Sequence, residues 1–180
     1  MSIFYSQSIK SVLVLGSSSV VAKSICLELA KKGCKKFHLI CRDTQKHHDL
    51  KNTLTDFYST SVSEQEIDLL SYIDANNIIM PKVDFYDLYL ITAGTLGDAS
   101  FARTNISEAF NITKVNFTSL IPWLTAIVSE ENIIRNSRLW VFSSVAGDLG
   151  RPSNYHYGAS KSALTTFCEG LMLRCQGKPF

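Results

Sequence analysis

Two side chains four residues apart near the end of the chain have the types needed to move a proton at neutral pH. Tyr157 and Lys161 would share one face of a helix, because residues four apart are neighbours on a helix surface. A free tyrosine has a pKa of about 10, and lowering it to about 7 requires about 4 kcal/mol of preference for the phenolate. A lysine charge favours that charged form. Two more polar residues precede this pair at fixed spacings, with Ser144 thirteen residues before the tyrosine and Asn116 twenty-eight before the serine.

Apolar runs and helical periodicity alternate along the chain and predict the elements that position these groups. Short apolar runs predict five strands, over residues 11–15, 37–41, 66–70, 87–92 and 138–143. Apolar residues at three- and four-residue spacing predict the helices, over residues 18–32, 45–58 and 72–80, within 106–130, and over 155–174. Gly33 is expected to end the first helix, and Pro122 to kink the fourth.

This alternation predicts an α/β fold, in which helices cover both faces of a parallel sheet. Right-handed crossovers then give a doubly wound parallel sheet of the Rossmann type, in a single domain over residues 1–180. Ligands of such sheets bind at the carboxyl ends of the strands. The turns that follow the predicted strands are therefore the expected places for a binding site.

The set of Asn116, Ser144, Tyr157 and Lys161 resembles the catalytic tetrad of the short-chain dehydrogenases/reductases, which pass a hydride between a nicotinamide cofactor and a carbonyl or alcohol. The resemblance implies that Tyr157 is the general acid/base, and that Lys161 favours its phenolate and binds the nicotinamide ribose. It also implies that Ser144 hydrogen-bonds the substrate oxygen and that Asn116 holds a water connecting Lys161 to solvent. Two near neighbours, with spacings that differ by one and two residues, are second choices: Ser143 and Tyr155.

The turn after the first predicted strand resembles the family's cofactor loop, Gly-x-x-x-Gly-x-Gly, and retains its first glycine, Gly16. Val20 and Ala22 replace the other two glycines. Val20 is the larger departure, because a β-branched residue tolerates neither a positive φ nor a close backbone approach. Branches of the family carry a loop of this type, and the chain resembles some of them that act on sugar or polyprenyl-sugar ketones. Helix N-terminal amides and three hydroxyls remain as phosphate partners, those of Ser17, Ser18 and Ser19, although a serine-capped turn without ligand fits equally.

The end of the second predicted strand carries the residues that would select between NAD and NADP. NAD-preferring members have an acidic residue there for the ribose 2′-hydroxyl. Cys41 occupies that place, and the guanidinium of Arg42 beside it would pair with a 2′-phosphate, which favours NADP. Asp43 follows Arg42 directly, and an alignment error of one residue would reverse this preference and favour NAD. An exposed Arg–Asp pair at a helix start is the alternative without a cofactor.

Two further turns resemble segments of the family that contact the cofactor. Asp68 and Leu69 match the pair that contacts adenine after the third strand, although a surface carboxylate fits equally. Ala93 and Gly94 match the end of the family's Asn-Asn-Ala-Gly segment, where the ribose approaches the backbone. Ile91 and Thr92 replace the two asparagines, which leaves the sheet-stabilising hydrogen bonds of that segment in question.

Composition argues against several classes of partner. The net charge of +2 over 180 residues gives no electrostatic reason for nucleic acid or an anionic membrane. The sequence has no run of about eighteen apolar residues, which a membrane-spanning helix would need, and residues 1–10 do not match a secretory signal. The five cysteines include no Cys-x-x-Cys pair, so we expect reduced thiols, no metal site and a cytoplasmic protein.

Family members are usually longer and add a sixth strand, a substrate-covering loop and a seventh strand, which the resemblance implies are lacking after Phe180. Two functions therefore remain open. The first is an NADP(H)-dependent reductase or dehydrogenase, with NAD possible, that acts on a small-molecule carbonyl or alcohol and dimerises through its long and catalytic helices. The second is a catalytically impaired fragment or dinucleotide-binding module that acts as a partner protein. A sugar-nucleotide epimerase is disfavoured, because its Gly-x-x-Gly-x-x-Gly loop has glycine where this chain has Ser19.

Overall fold

The computed structural model of the chain describes residues 8–71, 73–74, 77–78, 83–128 and 137–176. Within these residues the strands are β1 (Ser11–Leu15), β2 (Lys36–Cys41), β3 (Ser61–Glu66), β4 (Ile73–Asp74), β5 (Asn77–Ile78), β6 (Leu88–Ile91) and β7 (Arg138–Val141). The α-helices are α1 (Val20–Lys31), α2 (His48–Asn52), α3 (Ile106–Asn116), α4 (Ile121–Ile127) and α5 (Tyr155–Cys175). Shorter helical turns cover Thr44–His47, Thr53–Phe57, Phe101–Arg103, Thr118–Leu120 and Val145–Gly147.

The main sheet is parallel and has the strand order β3-β2-β1-β6-β7. The central strand β1 pairs with β2 on one side and with β6 on the other, so that Val12 lies between Phe37 and Leu88. The chain runs outward from β1 through β2 to β3, and then returns to the other side of β1 to form β6 and β7. The predicted doubly wound, Rossmann-type sheet is confirmed, and its strand order reverses between β1 and β6, where such sheets bind ligands.

Each face of the sheet packs against helices, because successive side chains of a strand point to opposite faces. Val12, Val14 and Leu90 lie on the face covered by α1. Leu13 and Ile91 lie on the opposite face, in a second buried cluster with residues of α4 and α5. No helix in the described part of the chain is long and apolar enough to cross a bilayer.

The third strand was predicted in the wrong place. It covers Ser61–Glu66 instead of residues 66–70. Among the described residues this strand lies at the sheet edge and pairs only with β2, and it has the alternating, largely polar composition of an edge strand. The apolar residues that suggested a strand, Ile67 and Leu69, instead pack into the core just after it.

Three predicted helices also differ from the structure. Residues 45–58 form a 3-10 turn, a short α-helix and a π turn in succession. The predicted helix over residues 72–80 is wrong where it is described, because β4 pairs with β5 in an antiparallel ladder, and its other residues lie outside the described ones. The predicted long helix breaks at Phe117 (φ −142°, ψ −68°), and residues 129–130 lie outside the described ones. Pro122 lies in the first turn of α4, where a missing N–H costs nothing, and so it starts a helix instead of kinking one.

Candidate active site

A cleft of about 420 Å³ lies at the carboxyl ends of the strands, between the ends of β1, β2 and β6 and the side of α3. This is the edge at which the sequence placed a ligand. The cleft collects most of the predicted cofactor residues in its lining: Gly16, Ser18, Ser19, Arg42, Asp68, Leu69, Ala93 and Gly94.

Gly16 fixes the closest approach between β1 and β6. Its φ of +96° lies in the left-handed region that favours glycine, and a Cβ added there would lie 2.4 Å from the backbone nitrogen of Ala93. The Thr92 hydroxyl donates a hydrogen bond of 2.9 Å to the Gly16 carbonyl. Of the hydrogen bonds that the replaced asparagines left in question, the Thr92 hydroxyl therefore supplies one, which joins the ends of β1 and β6.

The three loop serines point in different directions. Ser18 and Ser19 line the cleft, and the Ser19 hydroxyl caps α1 by accepting a hydrogen bond of 3.2 Å from the Val21 amide. Ser17 is buried, and its hydroxyl lies 2.6 Å from Nδ1 of His47. The structure therefore removes the Ser17 hydroxyl from the predicted phosphate partners.

Val20 does not face the cleft. It is 80% exposed as the first residue of α1, and it contributes to the lining of neither cavity described here. Among the described residues, positive φ angles occur only at Ser59 and at three glycines, so the loop places no such demand on Val20. The expectation that a β-branched residue would be disfavoured here by a positive φ therefore does not apply to Val20.

The far end of the cleft is lined by cationic side chains. Arg42 and Lys46, four residues apart, both line it and are exposed. Asp43 also lines this end, but one of its carboxylate oxygens accepts a hydrogen bond of 3.1 Å from the Gln45 amide and so caps the turn. The buried Cys41 thiol donates to the Asp43 carbonyl at 3.1 Å. Sequence reasoning missed Lys46, which the spacing of four from Arg42 would have indicated.

Asp68 and Leu69 line the cleft on the side of β3. One Asp68 carboxylate oxygen accepts a hydrogen bond of 3.0 Å from the Leu70 amide, which forms a tight turn after the strand. The predicted pair therefore follows the third strand, although the bounds of that strand were predicted wrongly.

A smaller cavity of about 180 Å³ adjoins the cleft and shares four lining residues with it, Ser19, Thr92, Gly94 and Thr95. Tyr157 and Lys161 line this inner cavity together with Ser143 and three apolar side chains, Val21, Leu96 and Phe142. The two cavities therefore meet at the turn after β6. A dinucleotide-sized ligand along the cleft would end beside the tyrosine.

Lys161 is held in place below the tyrosine. It is 4% exposed, and its ammonium donates a hydrogen bond of 3.0 Å to the Phe142 carbonyl. The ammonium nitrogen lies 5.9 Å from the centre of the Tyr157 ring. Burial lowers the pKa of Lys161, and the Cys168 thiol opposes this shift only in part. The Lys161 ammonium is therefore buried beside the Tyr157 ring.

Asn116 is fully buried at the last turn of α3, where the helix breaks. Its amide nitrogen donates to the carbonyls of Thr95 (2.6 Å) and Ile112 (2.8 Å), and its oxygen accepts from the Thr95 amide (3.1 Å). A Cβ on Gly94 would lie 2.8 Å from that oxygen and 3.4 Å from the Lys161 ammonium. The structure therefore brings Asn116, Lys161 and Gly94 into one packed group.

The two neighbouring serines after β7 have different environments. The Ser144 hydroxyl accepts a hydrogen bond of 3.2 Å from the Ala146 amide and caps the following turn. Ser143 lines the inner cavity, and its hydroxyl lies 2.6 Å from that of Thr165. Tyr155, the second choice for the tyrosine, lines neither cavity and packs its ring 4.2 Å from that of His156.

Comparisons with known proteins give a consistent assignment. The sequence model of the family described as short chain dehydrogenase matches residues 10–178. An uncharacterized oxidoreductase of Mycobacterium tuberculosis is 34% identical over 82 residues, which are 46% of this chain and 33% of that protein. The 3-oxoacyl-(acyl-carrier-protein) reductase of Buchnera aphidicola is 26% identical over 172 residues, which cover 94% of this chain and 68% of the reductase.

Solved structures share the fold. A short chain dehydrogenase from Shigella flexneri superposes with a TM-score of 0.79 at 21% identity, over 96% of this chain and 80% of that one. The actinorhodin polyketide ketoreductase with NADPH gives a TM-score of 0.76 at 16% identity, over 95% of this chain and 67% of that one. At these identities the structures establish the fold alone. The chain spans only about a third of the length of the mycobacterial relative.

Proposed function

Because the chain belongs to the short-chain dehydrogenase family, we propose that it is an NADP(H)-dependent oxidoreductase that transfers a hydride between nicotinamide and a carbonyl or alcohol substrate. One observation carries the proposal. Tyr157 and Lys161 line a cavity that meets the long cleft at Gly94. A carbonyl reductase requires proton-transfer groups at one end of the groove that binds its cofactor.

The residues of the cleft fit a dinucleotide cofactor. Gly16 and Gly94 line the cleft without a side chain, and a Cβ at either position would collide with neighbouring protein atoms. Ser18 and Ser19, beside the N-terminus of α1, would hold the pyrophosphate. Asp68 and Leu69 would contact the adenine, and Ala93 and Gly94 would face a ribose. When bound, the nicotinamide ring supplies or accepts the hydride.

Tyr157 would deliver or remove the proton on the substrate oxygen. For this task it would work together with the Lys161 ammonium, which lies 5.9 Å from the centre of its ring. The same ammonium would donate to the nicotinamide ribose. Either serine after β7 would orient the substrate oxygen, with Ser144 favoured by its spacing and Ser143 by its place in the cavity lining. The side chain of Asn116 is hydrogen-bonded to Thr95 and Ile112. The backbone carbonyl of Asn116, at the helix break, is therefore the group that would hold a water.

The cations at the far end of the cleft support NADP over NAD. The Arg42 guanidinium can pair with both oxygens of a 2′-phosphate, and Lys46 adds a second positive charge beside it. Asp43 uses one carboxylate oxygen to cap its own turn, which makes it a poorer partner for a ribose hydroxyl. These observations favour the alignment in which Arg42 reads the cofactor.

We further propose that the protein works as a cytoplasmic homodimer. Ile106 and Phe110, one turn apart on α3, are 70% and 67% exposed, and a second copy would cover them. All five cysteines are free, which suits a reducing compartment. The substrate would be a small carbonyl or alcohol, since the inner cavity holds only about 180 Å³.

Replacement of Tyr157 by Phe tests the proposal. With a carbonyl substrate found by screening, we expect Tyr157→Phe to lose at least about 100-fold in kcat, the low end of general acid–base contributions, with nearly unchanged NADPH affinity. Tyr155→Phe is the matched control, because it removes the same hydroxyl outside both cavities. Residual Tyr157→Phe activity above about a tenth of wild type would overturn the assignment of the acid. Tight NADPH binding without turnover of any carbonyl would favour the second function, a dinucleotide-binding module.

A further inference from the structure

A polar cluster, buried at three of its side chains and partly exposed at the other two, lies behind the loop after β1 that is proposed to hold the pyrophosphate. It consists of five side chains that we call the His47 cluster: Ser17, Cys41, His47, Lys51 and Glu64. His47 is 2% exposed and ends the 3-10 turn Thr44–His47. Buried polar groups of this kind carry a large penalty unless they are paired, so the geometry of the cluster constrains the segments that form it.

The His47 imidazole joins three separate segments. Its Nδ1 lies 2.6 Å from the Ser17 hydroxyl, in the loop after β1, and 3.2 Å from the Cys41 sulfur, at the end of β2. Its Nε2 lies 2.8 Å from a carboxylate oxygen of Glu64, in β3. The other oxygen of Glu64 accepts from the Lys51 ammonium of α2.

The charge of Glu64 sets the donor and acceptor roles along the hydrogen bonds from Glu64 through His47 to Ser17. Burial raises the pKa of Glu64, but the hydrogen bonds from Lys51 and His47 outweigh it and hold the pKa below its ordinary value. The carboxylate is therefore an acceptor, and the Nε2–H of His47 donates to it. When the imidazole is neutral, Nδ1 is then the acceptor, and the Ser17 hydroxyl donates a hydrogen bond to it.

A serine, a histidine and a glutamate linked by hydrogen bonds also suggest a hydrolytic triad, but this cluster does not fit one. A nucleophile must reach its substrate, whereas Ser17 is 1% exposed and lines neither cavity. The cluster therefore acts through the loop that carries Ser17.

We infer that His47 is a positioning residue for the cofactor loop, an inference that rests on the proposed function. By holding the Ser17 hydroxyl inside, His47 turns the next two residues, Ser18 and Ser19, toward the cleft. The amides of Gly16 and Ser17 both donate to the Ile40 carbonyl, which fixes the start of the same loop from the backbone side.

His47 also anchors the cationic end of the cleft. It directly follows Lys46, and the two share one 3-10 turn. A single buried imidazole thus sets the position of the loop proposed to hold the pyrophosphate and of a cation proposed to face the 2′-phosphate. Loosening it should weaken NADPH binding without touching a group that contacts NADPH.

The test is an NADPH titration of four variants, followed by nicotinamide fluorescence, with the thermal midpoint measured on the same samples. Ser17→Ala and His47→Phe remove the contact from its two sides, and we expect each to raise the Kd by about three- to tenfold, the net worth of one hydrogen bond. His47→Asn keeps an acceptor at the position of Nδ1 and should recover part of the affinity. His48→Gln, at the exposed neighbouring residue, is the matched control and should leave the Kd unchanged.

The outcomes separate this inference from the proposed function. A lower thermal midpoint with unchanged NADPH affinity in folded Ser17→Ala would mean that the cluster only stabilises the fold, and would overturn the positioning role. The same conclusion follows if His47→Asn binds no better than His47→Phe. If His47→Phe does not fold, Ser17→Ala alone decides. A wild-type protein that binds no NADPH would overturn both the proposed function and the inference.

Discussion

Three glycines allow the packing of the cofactor edge to be measured against matched controls. Gly16 and Gly33 both have positive φ, at +96° and +90°, but their surroundings differ. A Cβ at Gly16 would lie 2.4 Å from the Ala93 nitrogen, whereas at Gly33 the nearest atom is the Lys10 ammonium at 3.7 Å. Gly170, in the exposed part of α5, has no atom within 4 Å of an added Cβ.

The expected costs follow from these environments. Gly33→Ala pays only for the left-handed backbone, so it should lower the free energy of unfolding by about 1–2 kcal/mol. Gly16→Ala adds a collision with the β6 backbone, about 1–3 kcal/mol more, for a total loss of about 2–5 kcal/mol. Gly170→Ala should raise the stability by about 0.5–1 kcal/mol, because alanine is the better helix former.

Urea unfolding followed by circular dichroism measures all three, provided that the slope of the free energy against urea stays constant across the variants. The signature of the structure is the order, with Gly16→Ala the least stable and Gly170→Ala more stable than wild type. A Gly16→Ala variant that loses no more stability than Gly33→Ala would refute the close contact between the turns after β1 and β6.

Two further predictions concern the serines after β7 and the carboxylate of the His47 cluster. Ser144→Ala should lower kcat by about 100-fold, as loss of one donor to the reacting oxygen does. Ser143→Ala should lower kcat by less than about tenfold. The reversed order in a carbonyl-reduction assay would mean that Ser143 orients the substrate oxygen. Because the folded pKa of Glu64 is lower than the ordinary 4.5, its stabilising effect is present above that pH and is lost as pH falls through the folded value. Glu64→Gln should therefore be less stable than wild type at neutral pH, with a difference that shrinks below about pH 4.5, whereas a constant difference in urea unfolding from pH 7 to 3 would contradict this.

Residues with strong local signals could be predicted from the sequence. The apolar runs of β1, β2, β6 and β7 and the periodicity of α5 gave their elements nearly the right bounds. Gly33 ends α1 as expected. Its amide donates to the Ala30 carbonyl and the Cys34 amide donates to the Leu29 carbonyl, which is the pattern of a helix that ends with a glycine in the left-handed conformation. These features depend only on neighbours in the chain.

Other features depend on contacts between distant segments, which one sequence does not reveal. The edge strand β3 is set by pairing with β2 and not by its own apolar content. The inward turn of Ser17 depends on His47, thirty residues later, in a polar stretch that resembled a surface helix. The fixed side chain of Asn116 depends on a break at Phe117, which no proline or glycine marks.

The central claim is that the cleft binds a nicotinamide dinucleotide and selects NADPH through Arg42. Titration of the purified chain and of Arg42→Ala with NADPH and NADH, followed by nicotinamide fluorescence, tests it most directly. We predict saturable binding of both cofactors to the wild type, a preference for NADPH of at least about tenfold, and loss of most of that preference in Arg42→Ala. A folded wild-type protein that shows no saturable binding of either cofactor would contradict the account.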